Sequence, residues 1–363
     1  MQATGIEWTD FSANLLKYRD ESGRVVWHCE KTSPGCAHCY SEAIAERFRK
    51  GGPFLPMVTP TVTPFFDEAE AAKILRSKKL AGKRVFVSDM TDLFGAWVPD
   101  EIIARHFAVF NLRPDVTFQV LTKRPERLWR FVGAPNAGEV VYDVAFHLCH
   151  GLVAGAMIDG APDVWPLPNV HLGVSVEDQT RADERIPHLL RAPAAVRFLS
   201  CQPLLGPVDL TWWLGAMCPD CKGRTTDDEC HRCAGLGWVG LPEGGCQDVS
   251  RIGWVIVGGE SGPGARPCDV AWVRSLVGQC RAAGVPAFLK QLGGNVRDRN
   301  DAGFMGDPGD AWDLEPIGQV EQNPDGVLEE YQGAPVRIRL RDRKGGEPSE
   351  WPADLRVREF PHA

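Results

Sequence analysis

Short runs of β-branched and apolar residues alternate with helical patterns along most of this chain, and that alternation limits the fold more than any other feature. Arg84–Ser88, Thr117–Leu121, Val170–Val174, Val196–Leu199, Trp254–Val257 and Ala287–Lys290 read as strands, with Val25-Val26-Trp27 as a weak first one. Helices are expected over 41–50, 99–110, 179–190 and 270–283 and from Pro125 onward. Apolar strands separated by helices predict parallel pairing, because strands covered on both faces lose the apolar–polar alternation of a half-buried sheet. An open doubly wound sheet and a β/α barrel both satisfy the pattern. Polar residues at the strand ends favour the barrel: Ser88-Asp89, Thr122-Lys123-Arg124, Ser175-Val176-Glu177, Ser200-Cys201-Gln202 and Gly258-Gly259-Glu260-Ser261. Barrel enzymes place their chemistry at this rim. Helix capping accounts for Ser88 or Ser175, but not for Lys123-Arg124 or Gly258-Gly259-Glu260.

The expected class is therefore α/β: a parallel β/α barrel, partial or complete and TIM-like, with a small zinc-knuckle insertion and an irregular C-terminal appendage. The expected boundaries are 1–211 with 250–294 for the barrel, 212–249 for the insertion and 295–363 for the appendage. Residues 133–168 are an irregular or helical excursion, and Val336–Leu340 reads as one half-exposed strand of the appendage.

The 363 residues, 44% hydrophobic and 24% charged, suit one large α/β domain with insertions. A net charge of −8 gives no bulk electrostatic case for nucleic-acid binding. Two local basic stretches, Lys73, Arg76, Lys78, Lys79, Lys83, Arg84 and Arg337, Arg339, Arg341, Arg343, Lys344, are either solvated faces or phosphate contacts. No apolar run has the length of a membrane span, and Met1-Gln2-Ala3-Thr4-Gly5 does not open a signal peptide. A cytoplasmic protein without a membrane partner is expected.

There are twelve cysteines, and their spacing matters more than their number. Cys29, Cys36 and Cys39 form C-x6-C-x2-C between the first strand and the first helix, with a turn at Pro34-Gly35. A structural zinc site closes with four ligands. Three thiolates instead suit a [4Fe–4S] cluster that keeps one iron open. An open iron can chelate S-adenosylmethionine (SAM), and electron transfer into the sulfonium yields a 5′-deoxyadenosyl radical. Such chemistry requires an electron-donor protein. The alternative is zinc, completed by His28 or His38. Cys218, Cys221, Cys230 and Cys233 form CxxC…CxxC, the spacing of a tetrahedral Zn2+ knuckle. This insertion is too small to own a core, so metal binding would supply its folding energy. An auxiliary iron–sulfur cluster is the alternative there. Cys149, Cys201, Cys246, Cys268 and Cys280 read as small buried hydrophobes.

Gly5-Ile6-Glu7-Trp8-Thr9-Asp10, Ser33–Tyr40, Leu121-Thr122-Lys123-Arg124-Pro125-Glu126, Leu172–Glu177, Pro203–Pro207, Gly258–Gly262 and Lys290-Gln291 together resemble a family of unknown function common in bacteriophage genomes. That family is similar to the radical SAM superfamily, near spore photoproduct lyase. The resemblance runs from about residue 4 to 294 and implies a radical SAM barrel. It also implies a nucleic-acid base or nucleotide as substrate and, for a phage-encoded chain, the host cytoplasm. Two departures stand out. The superfamily loop is C-x3-C-x2-C, with a shorter first gap than here, and Gln202 stands where the family usually has Glu.

The candidate catalytic residues are Lys123, Arg124, Gln202 and Glu260. Gly258, Gly259, Glu260, Ser261 and Asp89 are candidates for the SAM site, the glycines because they allow close backbone approach. Lys123 and Arg124 suit a carboxylate or phosphate of cofactor or substrate. Asp89 and Asp92 suit ribose hydroxyls or a substrate amine, and Arg266 either reaches the rim or pairs with Glu260. Two other functions compete with the radical enzyme: a non-catalytic zinc-binding module for nucleic acid or protein, and a zinc-dependent hydrolase.

Overall fold

A computed structural model describes residues 1–51, 53–54, 61–152, 164–215, 251–299, 313–316 and 335–361. The chain divides into two compact units, Met1–Ser175 with Asp183–Leu199, and Val176–Ala182 with Ser200–Ala363.

The first unit opens with β1 (Gln2–Ala3), β2 (Phe11–Ala13), β3 (Leu16–Asp20) and β4 (Val25–Val26), followed by α1 (Tyr40–Arg47), β5 (Val62–Phe66) and α2 (Glu68–Arg76). It continues through β6 (Arg84–Val87), α3 (Asp100–Asn111), β7 (Thr117–Thr122), α4 (Pro125–Val132), α5 (Ala137–Leu152) and β8 (Val170–Ser175). Both α6 (Gln179–Arg191) and β9 (Val196–Cys201) contribute residues to each unit. The main sheet of the first unit has the order β1-β2-β6-β7-β8-β9. Strands β2, β6, β7 and β8 pair in parallel, and β1 pairs antiparallel with β2. The chain is thus a mixed α/β protein with a parallel-dominated sheet.

One face of this sheet is built from alternate residues. Phe118 stacks on Phe110 of α3 with ring centroids 4.4 Å apart. Phe118, Val120, Val85 and Val87 are all fully buried, and each such side chain contributes roughly 1.5–3 kcal/mol. Helix α5 presents Val141, Ala145 and Leu148 inward at helical spacing, so the excursion over 133–168, expected to be irregular or helical, is helical over Ala137–Leu152.

Val25-Val26-Trp27 is not the first strand of the parallel set. Val25–Val26 instead pairs antiparallel with β3, which also pairs antiparallel with β5 in a separate three-stranded sheet. The cause is the turn at 20–24. Asp20 Oδ1 accepts from the backbone N–H of Ser22 and Arg24, and Gly23 sits at φ 79°. An Asx-turn with a left-handed glycine closes a hairpin. The parallel set therefore begins at Phe11–Ala13, and the cysteine loop leaves the small sheet rather than the large one.

In the second unit the order is β9-β10-β12, where β10 (Trp254–Gly258) and β12 (Ala287–Gln291) pair in parallel. This unit also holds α7 (Thr211–Leu214), β11 (Cys268–Asp269) and α8 (Val270–Ala283), whose cap residue Asp269 accepts from the Ala271 N–H. The stretch expected to be an irregular appendage holds three strands, while 340–361 runs through loops and short 3-10 turns. β13 (Val296–Arg299), β14 (Asp313–Pro316) and β15 (Pro335–Arg339) join β11 in a four-stranded sheet of order β11-β13-β15-β14. Ile338 is buried between exposed Arg337 and Arg339, as the alternation in 336–340 predicts. The chain end returns to β12: Leu289 N–H donates to Val357 O at 2.8 Å, and Phe360 packs on Trp254 and Phe288. Cys218, Cys221, Cys230, Cys233 and Cys246 lie outside the described residues. Among the described residues no helix is long and apolar enough to cross a membrane.

Candidate functional site

Parallel pairing brings the C-terminal ends of β6 and β7 side by side, since Val87 lies opposite Val120. The residue that leaves β6, Ser88, is buried at φ 61° with its hydroxyl unpartnered. A non-glycine residue in that region carries roughly 1–3 kcal/mol of strain and marks functional turns. The turn delivers Asp89, Thr91 and Asp92. Asp89 is held by the Asn14 amide, and burial pushes its carboxyl above the usual carboxylate range.

Asp92 organises the end of β7. Its Oδ1 accepts from Thr122 Oγ1 at 2.7 Å and from Phe94 N–H at 3.0 Å. Its Oδ2 accepts from the Lys123 N–H and from Arg124 Nη1, each at 3.0 Å. The other prong of Arg124, Nη2, donates to the Glu30 carbonyl at 3.1 Å, and the guanidinium lies 4.6 Å over the Trp97 ring. Trp97 Nε1–H in turn donates to Tyr18 Oη at 2.9 Å. Arg124, expected to bind an anion, is thus already engaged on three sides.

The cysteine loop is tied to this frame. Thr91 Oγ1 donates to the His28 carbonyl at 2.7 Å, while Arg124 takes the Glu30 carbonyl, so both carbonyls flanking Cys29 are caught. Lys31 pairs with Glu42 at 2.7 Å. Pro34–Cys36 forms a single 3-10 turn, and Cys39 is the N-cap residue of α1. Tyr40 and Ser41 hydroxyls both donate to the Asp89 carbonyl, at 2.6 and 2.8 Å, which pins the start of α1 to the turn after β6.

All three thiols are free and half-buried. Burial pushes the Cys29 thiol up to about 12, with Asp92 reinforcing it, Arg124 opposing, and Cys39 and Cys36 adding to the rise. Cys36 moves the other way: burial resists, but the Lys123 charge and then hydrogen bonds from Thr32 and Ser33 hold it below the usual thiol range. Among the described residues, no three His, Cys, Asp or Glu side chains are grouped to hold a metal ion. His28 Nε2 is buried without a partner, against the rings of Tyr18 and Trp97.

The second unit brings Gln202 beside Gly258: a Cβ on Gly258 would stand 3.4 Å from the Gln202 side chain. Leu204 N–H donates to the Gly258 carbonyl at 2.9 Å and fixes this approach. Gly259 has a steric reason of its own, because its Cβ would meet the Leu292 carbonyl oxygen. Glu260, expected to be catalytic, spends both oxygens on Arg266: Oε2 accepts from its backbone N–H and Nε, and Oε1 from Nη2 at 2.6 Å. Ser261 is exposed beside it. This end of β10 is thus a closed turn whose acid is already neutralised by the arginine six residues on.

Asn14, Thr91, Trp97 and Tyr18 carry no local signal in the sequence. They are single residues of ordinary type, made partners of the site only by strand pairing. Comparison with curated proteins and with solved structures gave no match. A family model described as "Protein of unknown function (DUF5131)" matches residues 3–337, and the chain belongs to that family.

Proposed function

We propose that this chain is an iron–sulfur enzyme of the radical SAM type, with Cys29, Cys36 and Cys39 as the cluster ligands. The observation that carries the reading is the loop itself. It presents three half-buried thiols on one short loop, with the Arg124 guanidinium bonded to the carbonyl beside Cys29. A set of soft thiolate donors with cations to offset their charge fits an iron–sulfur group. A cluster also spreads its thiolates over several metal atoms and does not need them grouped around one ion. When bound, a cluster with an open iron supplies the electron that cleaves SAM to the 5′-deoxyadenosyl radical.

The protein's own contribution is to hold the thiols and to exclude water. Thr91 and Arg124 fix the backbone on either side of Cys29. Tyr18, Trp97 and His28 wall one side with aromatic rings. Asp89, whose carboxyl is raised by burial, is placed to hold a proton or a hydroxyl at the end of β6. We further propose a partial β/α barrel as the architecture, a SAM contact from Asp89, and a nucleic-acid base or nucleotide as substrate. Gln202 keeps an amide that both donates and accepts. Zn2+ at Cys218, Cys221, Cys230 and Cys233 rests on their spacing. An electron-donor protein and a cytoplasmic setting complete the reading.

The test is iron and acid-labile sulfide analysis of protein reconstituted without oxygen, beside Cys36→Ala. Expected are about four irons at this loop, loss of the brown colour in the variant, and 5′-deoxyadenosine once SAM and a reductant are added. Colourless wild-type protein that holds only zinc would overturn the reading.

A further inference from the structure

Resting on that reading of the cysteine loop, we infer that Arg124 is a positioning and charge-compensating residue for the cluster ligand Cys29, not a binding site for a substrate anion. The geometry separates two jobs. Arg124 is a strut: Nη1 reaches Asp92 on the turn after β6, Nη2 reaches the carbonyl next to Cys29, and the flat face lies on Trp97. A planar fork makes these contacts at once, which a single ammonium does not. Its side chain is only 15% exposed and that of Asp92 only 8%, so little of the guanidinium is left for an incoming anion. The strut has a counterpart in Thr91, whose hydroxyl holds the carbonyl on the other side of Cys29. Together they fix the direction in which the Cys29 side chain leaves the backbone.

The second job is electrostatic. Lys123 and Arg124 follow one another at the end of β7, and Asp92 holds both, the first by its backbone N–H and the second by its side chain. The Arg124 guanidinium is held beside Cys29 by its hydrogen bond to the Glu30 carbonyl. A thiolate-bound cluster is anionic, and an added electron makes it more so. A nearby cation therefore stabilises the reduced form and raises the reduction potential.

The two jobs are distinguished by Arg124→Gln, Arg124→Lys and Thr91→Val in the full chain, reconstituted with iron and sulfide. Two readouts are used: the rate of iron loss to a chelator, and the reduction potential from spectroelectrochemistry. Arg124→Gln should lose iron about tenfold faster, at the lower end of the effect of residues that orient metal ligands. Its potential should move in the negative direction. Arg124→Lys should recover the wild-type potential but not the retention. Thr91→Val should lose iron faster at an unchanged potential, and it keeps the test intact if Arg124→Gln does not fold. Wild-type retention and potential in all the variants that fold would overturn the inference while leaving the cluster reading standing. Failure of the wild-type chain to hold iron and sulfide at all would overturn both.

Discussion

Asp92 and Arg124 form a buried ion pair, Oδ2 to Nη1 at 3.0 Å, between the turn after β6 and the end of β7. With one partner truncated, the other is left as an uncompensated buried charge, which costs about 3–5 kcal/mol. Asp92→Asn should therefore lower the urea midpoint of the folded chain strongly, toward the lower end of that range because the amide oxygen still accepts from Thr122 and Phe94. Arg24→Ala, which breaks the exposed pair to Asp20, should leave the midpoint where it was. Equal effects of the two substitutions would show that burial does not set the strength of the Asp92 pair.

Ser88 offers the opposite sign. It holds φ 61° with a buried, unpartnered hydroxyl. Glycine adopts that conformation without the clash of a side chain and removes the orphaned oxygen. Ser88→Gly should raise stability by about 1 kcal/mol, read as a higher denaturant midpoint; a fall would mean that the hydroxyl has a partner in solution.

Gly173 and Gly259 tolerate no side chain for different reasons. A Cβ on Gly173 would stand 2.4 Å from the Phe198 ring, and one on Gly259 would stand 2.1 Å from the Leu292 carbonyl oxygen. Gly173→Ala should cost about 1–3 kcal/mol through overpacking. Phe198→Leu should recover part of that loss, a coupling visible in a double-mutant cycle. Gly259→Ala meets backbone, so no side-chain change at position 292 should rescue it.

His106 is fully buried in α3, and burial lowers its pKa from 6.5 to about 4. Between those values the unfolded chain binds a proton that the folded chain does not. Stability is therefore complete above pH 6.5 and falls as pH drops toward 4, by about 1.4 kcal/mol per pH unit for one such group. His106→Phe should flatten the pH dependence of the urea midpoint in that window. A slope as steep as in the wild type would assign the titration elsewhere, with His171, also lowered to about 4, as the next group to replace.

Several elements were legible because their cause is local. Val270–Ala283 is a helix over the residues its pattern indicates, with Asp269 as cap and Gly284 in the left-handed region just past its end. The helix at Pro125 and the strands at 84–87, 117–122, 170–175 and 196–201 follow from apolar runs and from proline at a helix start. The cysteine trio was legible as a set of three thiols. Val25–Trp27 was misread because a strand's partner is not encoded in the strand: five residues upstream, the turn closed by Asp20 and Gly23 sends it into a hairpin. Of the two roles open to Arg266, reaching the rim or pairing with Glu260, the structure shows the pairing, a choice that residue spacing alone does not make.

By itself the amino-acid sequence determined the periodicities, the spacing of the thiols and the residue types at the strand ends, since each depends on neighbours a few positions apart. Tertiary structure decided which of those residues meet. Asp92, Arg124, Thr91 and the carbonyls around Cys29 come from three separate stretches of chain, and only the parallel pairing of β6 with β7 and the hairpin before the loop bring them within hydrogen-bond range. The same packing converts Arg124 from an apparent anion binder into a strut, because a buried guanidinium must spend its donors on whatever acceptors the fold delivers.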